Sequence, residues 1–358
     1  LGEELEGGGM KISTFSIVVG TSSCDAGCSF CISKSTGLQE VGCNDIQWEA
    51  FGRAVAMAKQ ARTTTVLFTG KGEPTLYPLE VTAYLRALWA MGEHREFVLP
   101  MLTDDGQKVT QEVHLPAFST MELQTNAILI GQLAQFVETF GSTRFRAAVE
   151  SHHILATTAL LQIRLYRALL EWKKLGLTTI AISTVGVKQG WNQQVYLHGK
   201  KGQYPDLALT VQFLHDLGFQ VRICVMMQKG FVESAEQVGE TVIWCRDNKV
   251  EQLTVRPIRR PEHKPIGELT EADAWVDKHG LEPDDEASIE AWVKLNGVRI
   301  YTFTAGDHEF HVYDIYGQNL CLADCLTVPD GADTIRTLIL YPRTGEIKFH
   351  WQFESARL

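Results

Sequence analysis

The stretch ISTFSIVVGTSSCDAGCSFC (12–31) decides the fold. Its opening run, ISTFSIVVG (12–20), is rich in β-branched residues and ends on a glycine, so it reads as a strand. Directly after it come Cys24, Cys28 and Cys31, spaced C-x3-C-x2-C. A short loop containing Gly27 lets three thiolates converge on one [4Fe–4S] cluster, and three protein ligands leave the fourth iron open to a substrate or cofactor. Zinc sites favour two ligand pairs and a closed tetrahedron, and no second pair lies nearby. A redox C-x-x-C at Cys28 and Cys31 would leave Cys24 without a role. The cluster reading is therefore preferred to both.

Working outward, the centre of the chain alternates β-rich runs with helical spacing. Strands are predicted at 12–20, 64–70, 121–126, 145–151, 178–186, 219–227 and 252–258. Helical patterns separate them at 48–60, 79–91, 129–140, 160–176, 207–218 and 234–248. Repeated strand–helix units imply parallel strands with right-handed crossovers. The expected class is α/β, with a partial or full (β/α) barrel preferred to an open doubly wound sheet. Two stretches break the rhythm. Residues 93–118 read as a β-hairpin around Asp105-Gly106, projecting from the face opposite the active site. Residues 187–206 form a long connection after a strand, on the active-site face, and loops of that length usually serve function.

After about residue 266 the pattern changes. Acidic helical segments at 270–279 and 284–295 lead into β-rich runs at 298–305, 308–317 and 337–351, which read as an antiparallel extension. The expected organisation is an expression scar over 1–9, a barrel over 10–266 and a C-terminal extension over 267–358. The chain has 358 residues, 45% of them hydrophobic, and a net charge of −10, which disfavours a duplex nucleic acid as partner. No apolar run is long enough to span a bilayer, so no membrane partner is expected and a cytoplasmic location is. No secretory signal follows Met10, so the eight cysteines are not expected to form a disulfide framework.

C-x3-C-x2-C with an aromatic, Phe30, before the last cysteine resembles the signature of the radical S-adenosylmethionine (SAM) superfamily. The resemblance covers roughly residues 12–260, is sharpest at 24–31, and implies a barrel of that family's type. It implies an oxygen-sensitive enzyme in which the cluster's open iron chelates SAM and an electron cleaves it to methionine and a 5′-deoxyadenosyl radical. It also implies a reductant partner such as flavodoxin or ferredoxin. Gly70-Lys-Gly72-Glu73-Pro74 resembles the family's GGE motif, which would give Glu73 the methionine amino group. Leu123-Gln-Thr125-Asn126 resembles its L-x-T-N-G stretch, with Ala127 where the family has glycine. By the same resemblance, Ser151, Arg164 and Ser183 would be polar SAM contacts, and Met226 would lie near adenine.

The substrate side offers less. Arg256, Arg259 and Arg260 follow the last barrel strand and suit an anion if they face the mouth; the alternative is ion pairing with the acidic helices. Trp191 and Tyr196 of the long loop could stack on a ring. Cys321 and Cys325 are candidates for a hydrogen-donating thiol or for an auxiliary cluster, which would need cysteines from afar and is not favoured. A small, anionic or heterocyclic substrate is preferred to a peptide or RNA base. A non-catalytic iron–sulfur protein for electron transfer or sensing is the alternative of another class.

Overall fold

The computed structural model describes residues 12–36, 45–102, 108–141, 145, 157–261, 268–305, 308–323, 335–351 and 357. The strands among them are β1 (Ile12–Val18), β2 (Thr65–Thr69), β3 (Glu93–Leu102), β4 (Lys108–Leu115), β5 (Thr120–Thr125), β6 (Thr179–Thr184) and β7 (Gln220–Met227). They continue with β8 (Gln252–Pro257), β9 (Val298–Ala305), β10 (His308–Ile315), β11 (Gln318–Leu322), β12 (Ile335–Tyr341) and β13 (Glu346–Lys348). All but β3 and β4 join one sheet in the order β13-β12-β1-β2-β5-β6-β7-β8-β11-β10-β9. The central run from β1 to β8 is parallel and follows chain order without reversal. A doubly wound sheet needs a switch point where the order reverses, and there is none. The fold is α/β, singly wound, with the topology of a partial barrel.

The strand sequences separate an apolar face from a mixed one. Phe15, Ile17, Val66, Phe68, Met121, Leu123, Ile180, Ile182, Val221, Ile223, Leu253 and Val255 alternate along their strands and join one core. That core includes Phe51, Leu88, Leu133, Trp172, Leu214 and Val242 from the helices Trp48–Gln60, Pro78–Ala90, Ile128–Phe140, Thr157–Lys174, Leu207–Asp216 and Ala235–Asp247. The opposite face is mixed. In register across it stand Ser16, Leu67, Glu122 and Thr179, then Ala181 and Arg222, then Ser183, Cys224, Thr254 and Cys321. Parallel strands covered by helices on both faces are apolar on both. A face that carries Ser16, Glu122, Arg222 and Thr254 therefore marks the inner side of the barrel, where Ala181, Cys224 and Met226 join a smaller buried cluster with Tyr196.

The sheet is open at both ends of the parallel run. β12 pairs parallel to β1, and β11 pairs parallel to β8, so C-terminal strands extend both edges rather than closing a full barrel. β9, β10 and β11 are mutually antiparallel, as are β12 and β13. The expected extension is thus mixed in direction, because each outer group first lies beside a barrel strand. β11 was not predicted. The run expected at 145–151 lies outside the described residues apart from Phe145, and β5 pairs directly with β6. β3 and β4 form a separate antiparallel hairpin in the helix-to-strand connection before β5. Among the described residues no helix is long and apolar enough to cross a membrane.

Candidate active site

The cysteine loop leaves β1 at the carboxyl end of the sheet. Cys24, Cys28 and Cys31 lie within electrostatic reach of one another. Burial is the main cause that lifts the Cys24 thiol to about 11, with Glu73 and Asp25 adding to it and the Ala26 backbone N–H opposing it. Burial, then the neighbouring Cys31 and Cys24, push Cys28 up further. Among the described residues no three His, Cys, Asp or Glu side chains converge on a single metal ion. A cubane differs from that case, since each cysteine binds a different iron.

Two neighbouring loops hold this one by backbone contact. Glu73 N–H donates to Ser23 C=O at 3.0 Å, and a Cβ on Gly72 would lie 2.0 Å from that same oxygen. The glycine is thus needed for the approach of two protein loops. On the other side, Gly27 N–H donates to Tyr196 C=O at 2.6 Å, and a Cβ on Gly27 would come within 2.7 Å of His198 C=O. Lys200 Nζ donates to Cys24 C=O at 2.8 Å. Lys71, where the family motif has glycine, is buried and donates to Thr36 Oγ1 at the end of the helix Ile32–Ser35.

Glu73 is engaged by its own chain. Its Oε1 accepts from Thr75 N–H at 3.0 Å, Thr75 Oγ1 at 2.7 Å and Thr125 Oγ1 at 2.7 Å, and its Oε2 accepts from Asn126 N–H at 3.0 Å. Burial, then the Asp25 charge, raises its pKa against those donors. This carboxylate ties the loop after β2 to the end of β5, a role beside the ligand contact expected from the sequence. Asn126 continues the tie. Its Nδ2 donates to Asp25 Oδ1 at 2.7 Å and lies 3.8 Å from Cys24 Sγ, while its Oδ1 accepts from Ile128 N–H at 2.9 Å. Ala127 adopts φ 59°, the left-handed conformation that explains glycine in the L-x-T-N-G pattern.

The long connection carries the helix Trp191–Tyr196 and packs on the cysteine loop. Phe30 meets Tyr196 edge-on at 6.1 Å between ring centroids. Trp191 packs against Phe231, and Tyr204 OH donates to Asn126 C=O at 3.0 Å. Trp191 and Tyr196, expected as ring-stacking groups, both pack in this clamp. Arg259 pairs with Glu286 at 2.6 Å and Arg260 with Asp277 at 2.7 Å, so both belong to the acidic helices rather than to the mouth. Arg256 is different: it is half-buried on the luminal face beside Met226, and its Nε lies 3.3 Å from Met226 Sδ.

Thr125, Gly70 and Gly72 lie around Glu73, and Ser183 stands on the luminal face beside Cys224. Arg164 is exposed on the outer helix Thr157–Lys174, away from the cysteine loop. Ser151 and Cys325 lie outside the described residues, as does Cys43. Cys321 is half-buried on β11, on the luminal face, two strands from Cys224. Cys245 is enclosed in the helical core and cannot join either group. Four features were missed from the sequence: Asp25, Lys200, Tyr204, and the ion pair of Arg222 with Glu122 across the lumen. The last was legible as a lone cation in the luminal phase of FQVRICVMM (219–227).

No family model and no curated protein matches this chain. The resembling solved structures include SuiB, anSMEcpe and HydG. SuiB of Streptococcus suis, bound to precursor peptide SuiA, is 14% identical over 95% of this chain, with a TM-score of 0.47. This chain spans about 60% of the SuiB chain. Native anSMEcpe with bound AdoMet is 13% identical over 79% of this chain and 60% of its own, with a TM-score of 0.43. HydG, a maturase of the [FeFe]-hydrogenase, is 10% identical over 80% of this chain and 50% of its own, with a TM-score of 0.45.

Proposed function

We propose that this chain is a radical SAM enzyme that binds a [4Fe–4S] cluster through Cys24, Cys28 and Cys31 and acts on a small substrate held in the lumen. The observation that carries this reading is the gathering of three thiols, spaced C-x3-C-x2-C, at the carboxyl end of a singly wound parallel sheet. Active sites of strand–helix barrels form at that end. The residues present fit the group. Three soft sulfur donors suit an iron–sulfur cluster. Beside them, among the described residues, Asp25 Oδ2 and Ser29 Oγ are buried polar atoms with no hydrogen-bond partner. Such atoms are costly unless something polar meets them, and SAM carries both donors and acceptors. With cluster and SAM in place, reductive cleavage of SAM supplies a radical able to abstract hydrogen from the substrate.

The chain's own residues have separable tasks in this reading. Asn126 holds Asp25 and presents an N–H toward Cys24 Sγ, the sort of contact that tunes a cluster. Glu73 and Tyr204 fix Asn126 through its backbone N–H and C=O. Phe30 and Tyr196 cover Cys28 and keep water from it. The unpartnered Asp25 oxygen can receive a ligand amine, beside a Glu73 whose Oε1 is already held by three donors. Anaerobic reconstitution with iron, sulfide, SAM and dithionite tests the reading. We expect 5′-deoxyadenosine; none from protein carrying a full cluster overturns it.

A further inference from the structure

We infer that Arg256 and Tyr196 form an oxyanion-binding site at the lumen mouth, which holds the carboxylate or phosphate of the substrate. The inference rests on the luminal active site proposed above and assigns its substrate class. Arg256 projects from β8 on the inner face, in register with Met226 of β7. Its one hydrogen bond among the described residues goes to the thioether Met226 Sδ, a weak acceptor. The other arginines nearby are matched by carboxylates: Arg222 by Glu122, Arg259 by Glu286, and Arg260 by Asp277. Arg256 thus brings a fork of donors to a half-buried wall where, among the described residues, no carboxylate pairs with it.

Tyr196 supplies the independent observation. It is 2% exposed, and its hydroxyl is buried with no hydrogen-bond partner among the described residues. It belongs to one apolar cluster with Met226 and Cys224, with Cys28 and Phe30 packed against it, and it lies within electrostatic reach of Arg256. A buried phenol without a partner is rare in a folded chain. A guanidinium and a phenolic O–H that both lie beside Met226 can together meet an oxyanion, which accepts from both. The cation gives the attraction and the phenol gives orientation, while Cys224 and Cys321 lie deeper on the same face.

Calorimetric titration tests this on cluster-loaded, SAM-bound protein and on cluster-free protein, with sodium phosphate and sodium succinate as probes. We expect saturable binding of at least one probe, weakened tenfold or more by Arg256→Gln and roughly threefold to tenfold by Tyr196→Phe. Arg259→Gln and Arg260→Gln should bind as wild type does. Preference for one probe tells phosphate from carboxylate. Failure of both probes to bind, wild-type binding by Arg256→Gln, or equal loss in the Arg259 and Arg260 variants overturns the site. If Arg256→Gln weakens SAM binding itself tenfold in the absence of either anion, the site holds the carboxylate of SAM and the inference also fails. Probe binding without 5′-deoxyadenosine production would leave the site standing and sink the radical SAM reading. Production without probe binding does the reverse.

Discussion

Replacing Glu73 by glutamine separates a structural tie from a ligand contact. The carboxylate accepts four hydrogen bonds, three at Oε1 and one at Oε2. A glutamine can keep its carbonyl toward the first three only by turning its NH2 toward the Asn126 N–H, which sets donor against donor. A buried donor without its acceptor costs about 1–3 kcal/mol, and the other three bonds lose the help of charge. The total is roughly 3 kcal/mol after allowing for relief of the buried charge. Unfolding entropy is about 2.1 cal/mol/K per residue, so a chain of 358 residues has roughly 0.75 kcal/mol/K. Glu73→Gln should therefore lower Tm by about 4 °C in cluster-free protein, and Glu73→Ala by about 7 °C through the added cavity. Differential scanning calorimetry without cluster or SAM reads this directly. A Tm within 1 °C of wild type for both variants would refute the tie and return Glu73 to a purely ligand-binding role.

Other consequences are open to measurement. Removing any one of Cys24, Cys28 or Cys31 to alanine should abolish the brown cluster absorbance, and a triple variant that still holds four irons with an unchanged spectrum would disprove the ligand set. Arg222→Gln should cost about 3–5 kcal/mol in urea unfolding because it strands the buried Glu122, whereas the double variant with Glu122→Gln should recover most of that loss. Cys321 is raised from 9.0 to about 11, chiefly by burial, with Arg222 opposing. Since the thiolate is the reactive form, its alkylation by iodoacetamide near pH 8 should run about 100-fold slower than that of a free thiol and climb tenfold per pH unit. A rate equal to free cysteine would place Cys321 on the outer surface. Tyr204→Phe frees the Asn126 carbonyl, so amide exchange at Gly27 and its neighbours should accelerate several-fold; unchanged protection would show that the clamp does not depend on this bond.

Much of this was legible in the sequence, for local reasons. The period-two alternation of the barrel strands and the 3.6-residue spacing of the intervening helices are written in the chain, because each element must bury one face. The three cysteines were legible because their spacing closes within one short loop after a strand. Ala127 was legible by its place in the L-x-T-N-G pattern, and the structure adds the positive φ that glycine would take. Tertiary contact decided the rest. Arg256, Arg259 and Arg260 share one segment, yet only the structure tells which of them meets Glu286 or Asp277 and which faces the lumen. Glu73 reads from its motif as a ligand contact, and only the structure shows that it also holds Thr125 and Asn126, some fifty residues away. The same holds for Tyr196 and Lys200, whose loop clamps a segment more than 160 residues upstream. Sequence encodes which face of each element must be buried; which side chains then meet depends on strand order and register, and those exist only once the sheet has formed.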